Sequence, residues 1–237
     1  MQILINVSVV LLGYLIGSIP SGLIIVKLKT GKDIRQVESG RTGGTNAMRA
    51  AGFWAGLLTA LSDILKGVLA VWLARWLCPD TQWVHTMAPI GAILGHNYSL
   101  YLPEFDNNGR FRRLRGGAGG APALGGAIGL WAPSVFIILP LGALVFFSLG
   151  YASITTLSVA FFSILVFGTR LVLGVPGSNL SDVIYGVVAG ALLTWALRPN
   201  IKKLFNGTER VVSISLHGRI KAKKDLRDAN DALDDVE

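Results

Sequence analysis

The sequence predicts an all-α, polytopic membrane protein of about seven transmembrane helices, with its N-terminus outside and its C-terminus in the cytoplasm. Hydrophobic residues make up 51% of the 237 residues and charged residues only 15%, whereas soluble domains carry about 25% charged residues. The apolar residues are gathered in blocks, and the basic residues lie mostly between alternate blocks. Lipid is therefore the expected solvent for much of the chain.

Seven blocks are predicted to span the membrane. They cover residues 3–26, 51–77, 87–102, 117–131, 134–149, 152–167 and 181–197. A bilayer core needs about 20 apolar residues in a straight helix. The first two blocks meet this length, but those beginning at 117, 134 and 152 are short. An arrangement with five spans is the alternative.

The first block is predicted to be a retained helix rather than a cleaved signal peptide. No Lys or Arg precedes it, and the first positive charges, Lys27 and Lys29, follow it. A secretory signal has the reverse order, with its charges before the apolar stretch.

The distribution of basic residues predicts the orientation of the spans. With the N-terminus outside, six Lys and Arg residues fall between 27 and 50, four between 110 and 115, and nine after 197. The outer side receives only Arg75 and Arg170. Cytoplasmic segments carry such an excess, so the net charge of +8 requires no nucleic-acid partner.

The chain is predicted to divide into a transmembrane unit, residues 1–210, and a polar cytoplasmic tail, residues 211–237. From 221 onward the tail carries basic and then acidic residues. This pattern is typical of a solvated or frayed helix.

Three segments on the predicted cytoplasmic side combine glycine, hydroxyl, amide and basic residues, a composition that suits phosphate binding. They are residues 38–49, residues 115–122 at the glycine-rich start of a hydrophobic helix, and residues 197–210 after the last span. Helix N-termini attract anions. The alternatives are a flexible inner loop, close helix packing in lipid and a headgroup anchor. No Gly-Lys-Ser/Thr follows the second segment, which excludes a nucleotide-triphosphate loop.

Ionisable residues within the predicted spans are further candidates. Asp63 and Lys66 are three residues apart on one helical face, so we expect them to pair, either as a structural ion pair or as part of a transport pathway. His96 follows Gly95 and is a candidate base, ligand or hydrogen-bonded structural residue. Because the other histidines and the single Cys78 do not offer metal-ligand spacing, neither a metal nor another cofactor is expected.

Taken together, these segments resemble the bacterial acyl-phosphate-dependent glycerol-3-phosphate acyltransferases, the PlsY type. The resemblance covers nearly all of the chain before about residue 210. The motifs occur in the family's order, and this ordered set is more specific than any single motif. The resemblance is carried by residues 17–22, Lys27, Asp33-Ile34-Arg35, Ser39-Gly40, Gly43, Thr45-Asn46, Arg49, Asp63, Lys66-Gly67, Gly95-His96, Gly116-Gly117, residues 152–154, Asn200-Ile201, Leu204, Gly207 and Glu209.

The resemblance implies transfer of a fatty acyl group from acyl phosphate to the 1-hydroxyl of sn-glycerol 3-phosphate, in the bacterial inner membrane. The products are lysophosphatidate and inorganic phosphate, a step of phospholipid synthesis. Acyl phosphate is already an activated mixed anhydride, so neither a Ser-His-Asp set nor a covalent acyl-enzyme is expected. Membrane lipid and the two phosphorylated substrates are the implied partners.

The resemblance also implies roles for individual residues. Those expected to be catalytic are Ser39, Arg49 and Asn200. Those expected to bind substrate are Gly40, Arg41, Gly43, Gly44, Thr45, Asn46, His96, Arg115, Gly116, Gly117, Gly119 and Ser153.

Three departures from the family's motifs fall at functional positions. The family's Ser-Gly-Asn is Ser39-Gly40-Arg41 here, its Gly-Gly-Lys-Gly is Gly116-Gly117-Ala118-Gly119, and its His-Arg-x-Asn-Ile is Leu197-Arg198-Pro199-Asn200-Ile201. The linker after His96 is longer than in the family and contains four arginines between 110 and 115. Arg41 and one of these are predicted to restore the lost positive charge, although Arg and Lys differ in reach and geometry. The alternative to an active enzyme is a non-catalytic relative that binds lipid phosphate or a partner protein.

Overall fold

The computed structural model describes residues 1–234, so the last residues of the predicted tail, 235–237, lie outside the described residues. Most of this part of the chain is helical. Its α-helices are α1 (Gln2–Ser18), α2 (Ser21–Thr30), α3 (Gly44–Ala51), α4 (Phe53–Leu77), α5 (Gln82–Asn97), α6 (Gly120–Leu130), α7 (Val135–Leu149), α8 (Ala152–Val172), α9 (Leu180–Phe205) and α10 (Leu216–Asp234). Two 3₁₀ turns cover Ile34–Gln36 and Ala132–Ser134.

The structure adds one feature to the predicted all-α fold, a two-stranded antiparallel hairpin. Its strands are β1 (Pro103–Phe105) and β2 (Phe111–Leu114), which pair Glu104 with Arg113. It lies in the linker between α5 and α6, the segment that the sequence marked as long.

All seven predicted blocks contain a helix, which confirms the polytopic helical fold. Five helical segments of the described chain are long and apolar enough to cross a membrane: Gln2–Thr30, Phe53–Leu77, Ala132–Leu149, Ala152–Val172 and Leu180–Phe205. The other two blocks form α5, with 16 residues, and α6, with 11. Seven spans and the orientation of the termini therefore stay predictions.

The helix predicted in the first block is interrupted, so a single helix from 3 to 26 is wrong. Pro20 has no N–H to continue the helix, and α1 ends at Ser18 before α2 begins at Ser21. At the break the carbonyl oxygen of Ile19 accepts hydrogen bonds from the N–H of Ser21 and from the Lys66 ammonium. Lys66 also contacts Asp63, with 2.6 Å between Nζ and Oδ1, which confirms the predicted pair.

Close packing of small residues brings the central helices together. Helix α1 packs against α5, and α4 packs against α6. A Cβ atom on Gly125 of α6 would collide with the carbonyl oxygen of Ile64 on α4, and one on Gly17 of α1 would collide with that of Ala92 on α5. Glycine at these sites lets the backbones approach closely, the usual means of helix association in lipid.

The last long helix extends well beyond its predicted end at residue 197, and Asn200 therefore lies on a helix. Pro199 inside α9 removes one backbone donor. The side-chain Nε of Arg198 instead donates to the carbonyl oxygen of Trp195, at 3.0 Å. This substitute bond helps the helix continue to Phe205 despite the proline.

The chain after α9 returns to the body of the protein before α10 begins. The N–H of Val212 donates to the carbonyl oxygen of Gly150 at 2.8 Å, and Val211 pairs with Tyr151. Residues 211–215 thus contact the corner between α7 and α8. The division into two units at residue 210 stays a prediction.

Candidate active site

A cavity of about 480 Å³ lies among α3, α4, α6, α7, α8 and α9. On α7 its wall runs from Ile138 to Phe147, a length of about 13 Å at the helical rise of 1.5 Å per residue. The wall along α4 and α7 is mainly apolar, and two of its residues, Phe53 and Phe147, are about half exposed on helical segments long and apolar enough to cross a membrane. The end of the cavity lined by the first turns of α3, α6 and α8 is polar, and we refer to it as the polar end. The cavity therefore joins an apolar groove to a polar pocket.

Three helix N-termini meet at the polar end. Helix α3 begins at Gly44, α6 at Gly120 and α8 at Ala152, and the first turn of each lines the cavity. The first N–H groups of a helix have no partner within the helix, and the helix dipole adds positive potential there. This end of the cavity is therefore suited to an anion.

Cationic side chains add to this potential. Those that line the cavity are Arg41, Arg49, Lys203 and Arg210. Burial lowers the pKa of Arg41 and of Arg49 from the ordinary arginine value, but an arginine stays protonated in proteins. Both therefore carry a full positive charge at the polar end.

The guanidinium of Arg41 connects three parts of the site. Its NH1 donates to the carbonyl oxygen of Gly117 at 3.1 Å, and its NH2 donates to those of Ala196 at 2.6 Å and the Asn200 side chain at 3.2 Å. The charge of Arg41 thus lies beside Ala118, where the family motif has lysine.

A buried carboxylate holds two of the predicted residues in place. Glu209 is 7% exposed, and it accepts hydrogen bonds from Ser153 Oγ at 2.6 Å and from Asn200 Nδ2 at 3.2 Å. Ser153 on α8 and Asn200 on α9 are thereby fixed at the cavity wall. Glu209 belonged to the residues that carried the resemblance, but the sequence indicated no role for it.

Asn46 fixes the loop that precedes α3. Its side-chain Nδ2 lies within 3.2 Å of the carbonyl oxygens of Ile34, Val37 and Arg41. Ser39, Gly43 and Thr45 of the same region line the cavity. Asn46 thus fixes the shape of this loop and also lines the cavity beside these neighbours.

His96 joins α5 to the buried ion pair of α4. Its Nδ1 is 3.5 Å from Asp63 Oδ1, and both side chains are at least nine-tenths buried. The carbonyl oxygen of His96 accepts a hydrogen bond from Gly117 N at 2.8 Å. Asp63 and His96 both line the cavity, and no hydrogen-bond partner for Asp63 Oδ2 occurs within residues 1–234.

The structure does not bring four of the predicted binding residues to the cavity wall. They are Gly40, Arg115, Gly116 and Gly117. The three glycines provide space instead, because a Cβ atom on Gly117 would collide with the His96 ring and one on Gly116 with the backbone of Asn97. Gly40 has a φ of 65°, a value that favours glycine in its turn.

Arg115 and its neighbours are held by the β-hairpin. Arg115 donates to both carboxylate oxygens of Glu104 at 3.0 and 3.1 Å and to the carbonyl oxygen of Arg35 at 3.1 Å. Arg113 and Arg112 also contact Glu104, and no residue from 110 to 115 lines the cavity. The expected charge from this linker is therefore directed at Glu104 and away from the cavity.

The hairpin should lose its anchor in acid. Hydrogen bonds from Arg115 and Arg113 lower the pKa of Glu104 from 4.5 to about 2. A lowered pKa contributes stability that is complete above 4.5 and is lost as the pH falls toward 2. We expect amide hydrogen exchange of residues 103–114, corrected for intrinsic rates, to lose protection across this window. Glu104→Gln should be poorly protected throughout, and equal protection in both proteins would contradict the anchor.

Sequence reasoning missed several residues of the polar end. Lys203, Arg210, Glu38 and Thr208 lie in the segments 38–49 and 197–210 that were predicted to suit phosphate binding, but none of them was named as a site residue. All four line the cavity. Their signal was proximity in sequence to Ser39 and Asn200.

Within the described residues, no group of three or more His, Cys, Asp or Glu side chains is arranged to hold a metal ion.

The fold and the cavity define a class of protein, a multi-pass membrane protein whose cavity is suited to phosphorylated amphiphiles. An anion-binding pocket opens into an apolar groove, and the groove is bordered by lipid-facing helices. This arrangement is suited to a charged headgroup and an alkyl chain at the same time.

Comparison with known proteins identifies the family. The profile of the family described as "Glycerol-3-phosphate acyltransferase" matches residues 7–207. The glycerol-3-phosphate acyltransferase of Rubrobacter xylanophilus is 38% identical over 207 residues, covering 87% of this chain and 95% of its own. One from Thermus thermophilus is 35% identical over 200 residues, covering 84% of this chain and 92% of its own. The chain belongs to the glycerol-3-phosphate acyltransferase family.

A solved structure agrees with this assignment. The crystal structure of PlsY (YgiH), an integral membrane glycerol 3-phosphate acyltransferase in its glycerol 3-phosphate form, superposes with a TM-score of 0.73. It is 29% identical, and the match covers 87% of this chain and 95% of that one. The resemblance found in the sequence is confirmed, and the chain is a membrane acyltransferase. A non-catalytic relative or a transporter is not favoured.

Proposed function

We propose that this chain moves a fatty acyl group from acyl phosphate to the 1-hydroxyl of sn-glycerol 3-phosphate at the cytoplasmic face of a bacterial inner membrane. The observation that carries the proposal is the continuity of the cavity. Both substrates bear a phosphate that suits the cationic end, whereas only the donor has a long alkyl chain that suits the groove. The basic segments on the same side as this end support the cytoplasmic orientation.

The surroundings of each residue indicate its role in binding the two substrates. The apolar walls of α4 and α7 hold the acyl chain. Ser39, Thr45 and Arg49, with the N-terminus of α3, hold a phosphate group. Asn200 is oriented by Glu209 and contacts the glycerol phosphate. His96 and Gly119 shape the wall between the two substrates.

The reaction needs positioning and charge more than a nucleophilic side chain. The glycerol oxygen attacks the carbonyl carbon of the acyl phosphate, the bond from that carbon to the phosphate oxygen breaks, and the electron pair leaves with inorganic phosphate. A phosphate oxygen of a substrate takes the hydroxyl proton. Holding two anions side by side requires fixed positive charge, which Arg41 and Arg49 supply.

The donor is tested by supplying one activated acyl group at a time. Purified protein in lipid, given glycerol 3-phosphate, should form lysophosphatidate from acyl phosphate without CoA, because the polar end offers phosphate-sized sites at helix N-termini. Acyl-CoA and acyl carrier protein thioesters, supplied separately, should give no product. Activity with a thioester and none with acyl phosphate would overturn the proposed donor.

A further inference from the structure

Glu38 occupies a backbone conformation that side chains rarely adopt. Its φ of 51° is the one positive value at a non-glycine residue in the described part of the chain. The N–H of Gly40 donates to the carbonyl oxygen of Val37 at 2.9 Å, which makes Glu38 the second residue of a tight turn. Glycine dominates at turn positions with positive φ, so glutamate is unfavourable here.

The surrounding structure holds this turn in place. The Asn46 side chain contacts the carbonyl oxygen of Val37 before the turn and that of Arg41 after it. Strained residues persist where their neighbours over-determine the backbone, and they are concentrated at functional sites. The neighbouring structure therefore imposes the backbone conformation of Glu38. Glutamate instead of glycine at this position then indicates that its side chain has a function.

The carboxylate of Glu38 forms an ion pair with the guanidinium of Arg210, and both residues line the polar end of the cavity. The backbone around Arg210 is also held in place by its neighbours. It follows the buried Glu209, and Val212 just beyond it is hydrogen-bonded to Gly150. The ion pair thus links two fixed segments across the mouth of the cavity.

Stability does not explain this pair. The side chains of Arg210 and Glu38 are 62% and 40% exposed, and an ion pair at such exposure contributes little because water screens it. The other carboxylates of the cavity are engaged elsewhere, Glu209 with Ser153 and Asn200 and Asp63 with Lys66. Glu38 is the carboxylate that faces the cavity mouth on an exposed side chain.

We propose that Arg210 binds a substrate phosphate and that Glu38 is its resident counter-ion, displaced when the phosphate arrives and restored when phosphate leaves. The inference rests on the proposed function, because it requires a phosphorylated substrate in this cavity. A phosphate dianion outcompetes one carboxylate for a guanidinium, which offers a planar fork to either group. No covalent bond changes in this exchange. The phosphate belongs to acyl phosphate or to glycerol 3-phosphate.

The experiment is a double-mutant cycle on turnover, with KM measured for each substrate separately. Arg210→Gln should raise KM for the substrate whose phosphate it binds by about tenfold to a hundredfold, the loss of one charge-assisted hydrogen bond. Glu38→Gln should lower the same KM severalfold and strengthen inhibition by inorganic phosphate. In the Arg210→Gln background, Glu38→Gln should have no effect. The substrate whose KM responds is the one that Arg210 contacts.

Two further variants separate charge from strain. Glu38→Gly removes both, so it should match Glu38→Gln in KM but also raise the unfolding temperature without ligand. Arg219→Gln, an exposed position on α10, is the matched control and should leave every constant unchanged.

Inorganic phosphate gives a readout that does not need turnover, because a ligand that binds the folded state raises the unfolding temperature. At equal phosphate concentration the rise should be larger in Glu38→Gln than in wild type and smaller in Arg210→Gln. If wild type is active but the effects of the two changes simply add, the exchange is wrong and the proposed function stands. If wild type lacks turnover, the proposed function fails, and the order of the phosphate-induced shifts still decides the exchange. Equal shifts in all three proteins would overturn it.

Discussion

Replacing Arg41 with Asn is expected to reduce acyl transfer by about a hundredfold or more. Its guanidinium donates three hydrogen bonds, to Gly117, Ala196 and Asn200, and each charge-assisted bond contributes about 1.5–3 kcal/mol. Its contact with the carbonyl oxygen of Gly117 also places its charge next to Ala118, where the family motif has lysine. Steady-state rates with acyl phosphate and glycerol 3-phosphate measure the loss.

Adding Ala118→Lys to Arg41→Asn restores the family's residues at both positions, and we expect much of the rate to return. Ala118 lines the cavity, so the new ammonium has space beside the phosphate site. A purely structural role for Arg41 predicts a lower unfolding temperature and no recovery with the lysine. Arg112→Gln with Arg113→Gln is the control. These arginines contact Glu104 outside the cavity, and their removal should leave the rate near that of wild type.

Gly125→Ala is expected to destabilise the protein and abolish most of its activity. The new Cβ would collide with the backbone carbonyl of Ile64, which cannot rotate away as a side chain does. Overpacking of this kind costs about 1–3 kcal/mol. Because α6 begins at the polar end of the cavity, a displaced α6 also moves its anion-binding N-terminus.

The matched control for this change is Gly168→Ala in α8, where a Cβ atom has no neighbour within 4 Å. We expect it to fold and turn over as wild type does. Unfolding temperature in lipid or detergent and the rate of lysophosphatidate formation are measured for both variants. Equal behaviour of the two would show that the contact between α4 and α6 tolerates a methyl group.

The sequence predicted best those features that depend on neighbouring residues. The block 51–77 became α4, Phe53–Leu77, because a long apolar run leaves the chain one way to satisfy its backbone in lipid. Asp63 and Lys66 paired as their helical spacing predicted. The family motifs grouped Ser39, Arg49 and Asn200, and all three line the same cavity, while their catalytic roles stay a prediction.

Features set by distant contacts were not predictable in the same way. Block 87–102 became α5, Gln82–Asn97, because the polar residues His85 and Thr86 before the block are buried, with His85 hydrogen-bonded to the Cys78 carbonyl. Arg115 forms an ion pair with Glu104 across the β-hairpin. The hydropathy of the sequence does not indicate this hairpin. Arg41 depends on acceptors more than 70 residues away in sequence.

The exposed wall of the groove bears on how substrates would enter the cavity and how products would leave it. Phe53 and Phe147 border the cavity and are about half exposed, on helical segments long and apolar enough to cross a membrane. Under the proposed function, an acyl chain would enter and leave sideways between these helices without leaving the bilayer. The water-soluble reactant and product of the proposed reaction, glycerol 3-phosphate and inorganic phosphate, would pass through the polar mouth. On this route the alkyl chain would stay in an apolar environment throughout a cycle, and the proposed product would be released directly into the leaflet where it was made.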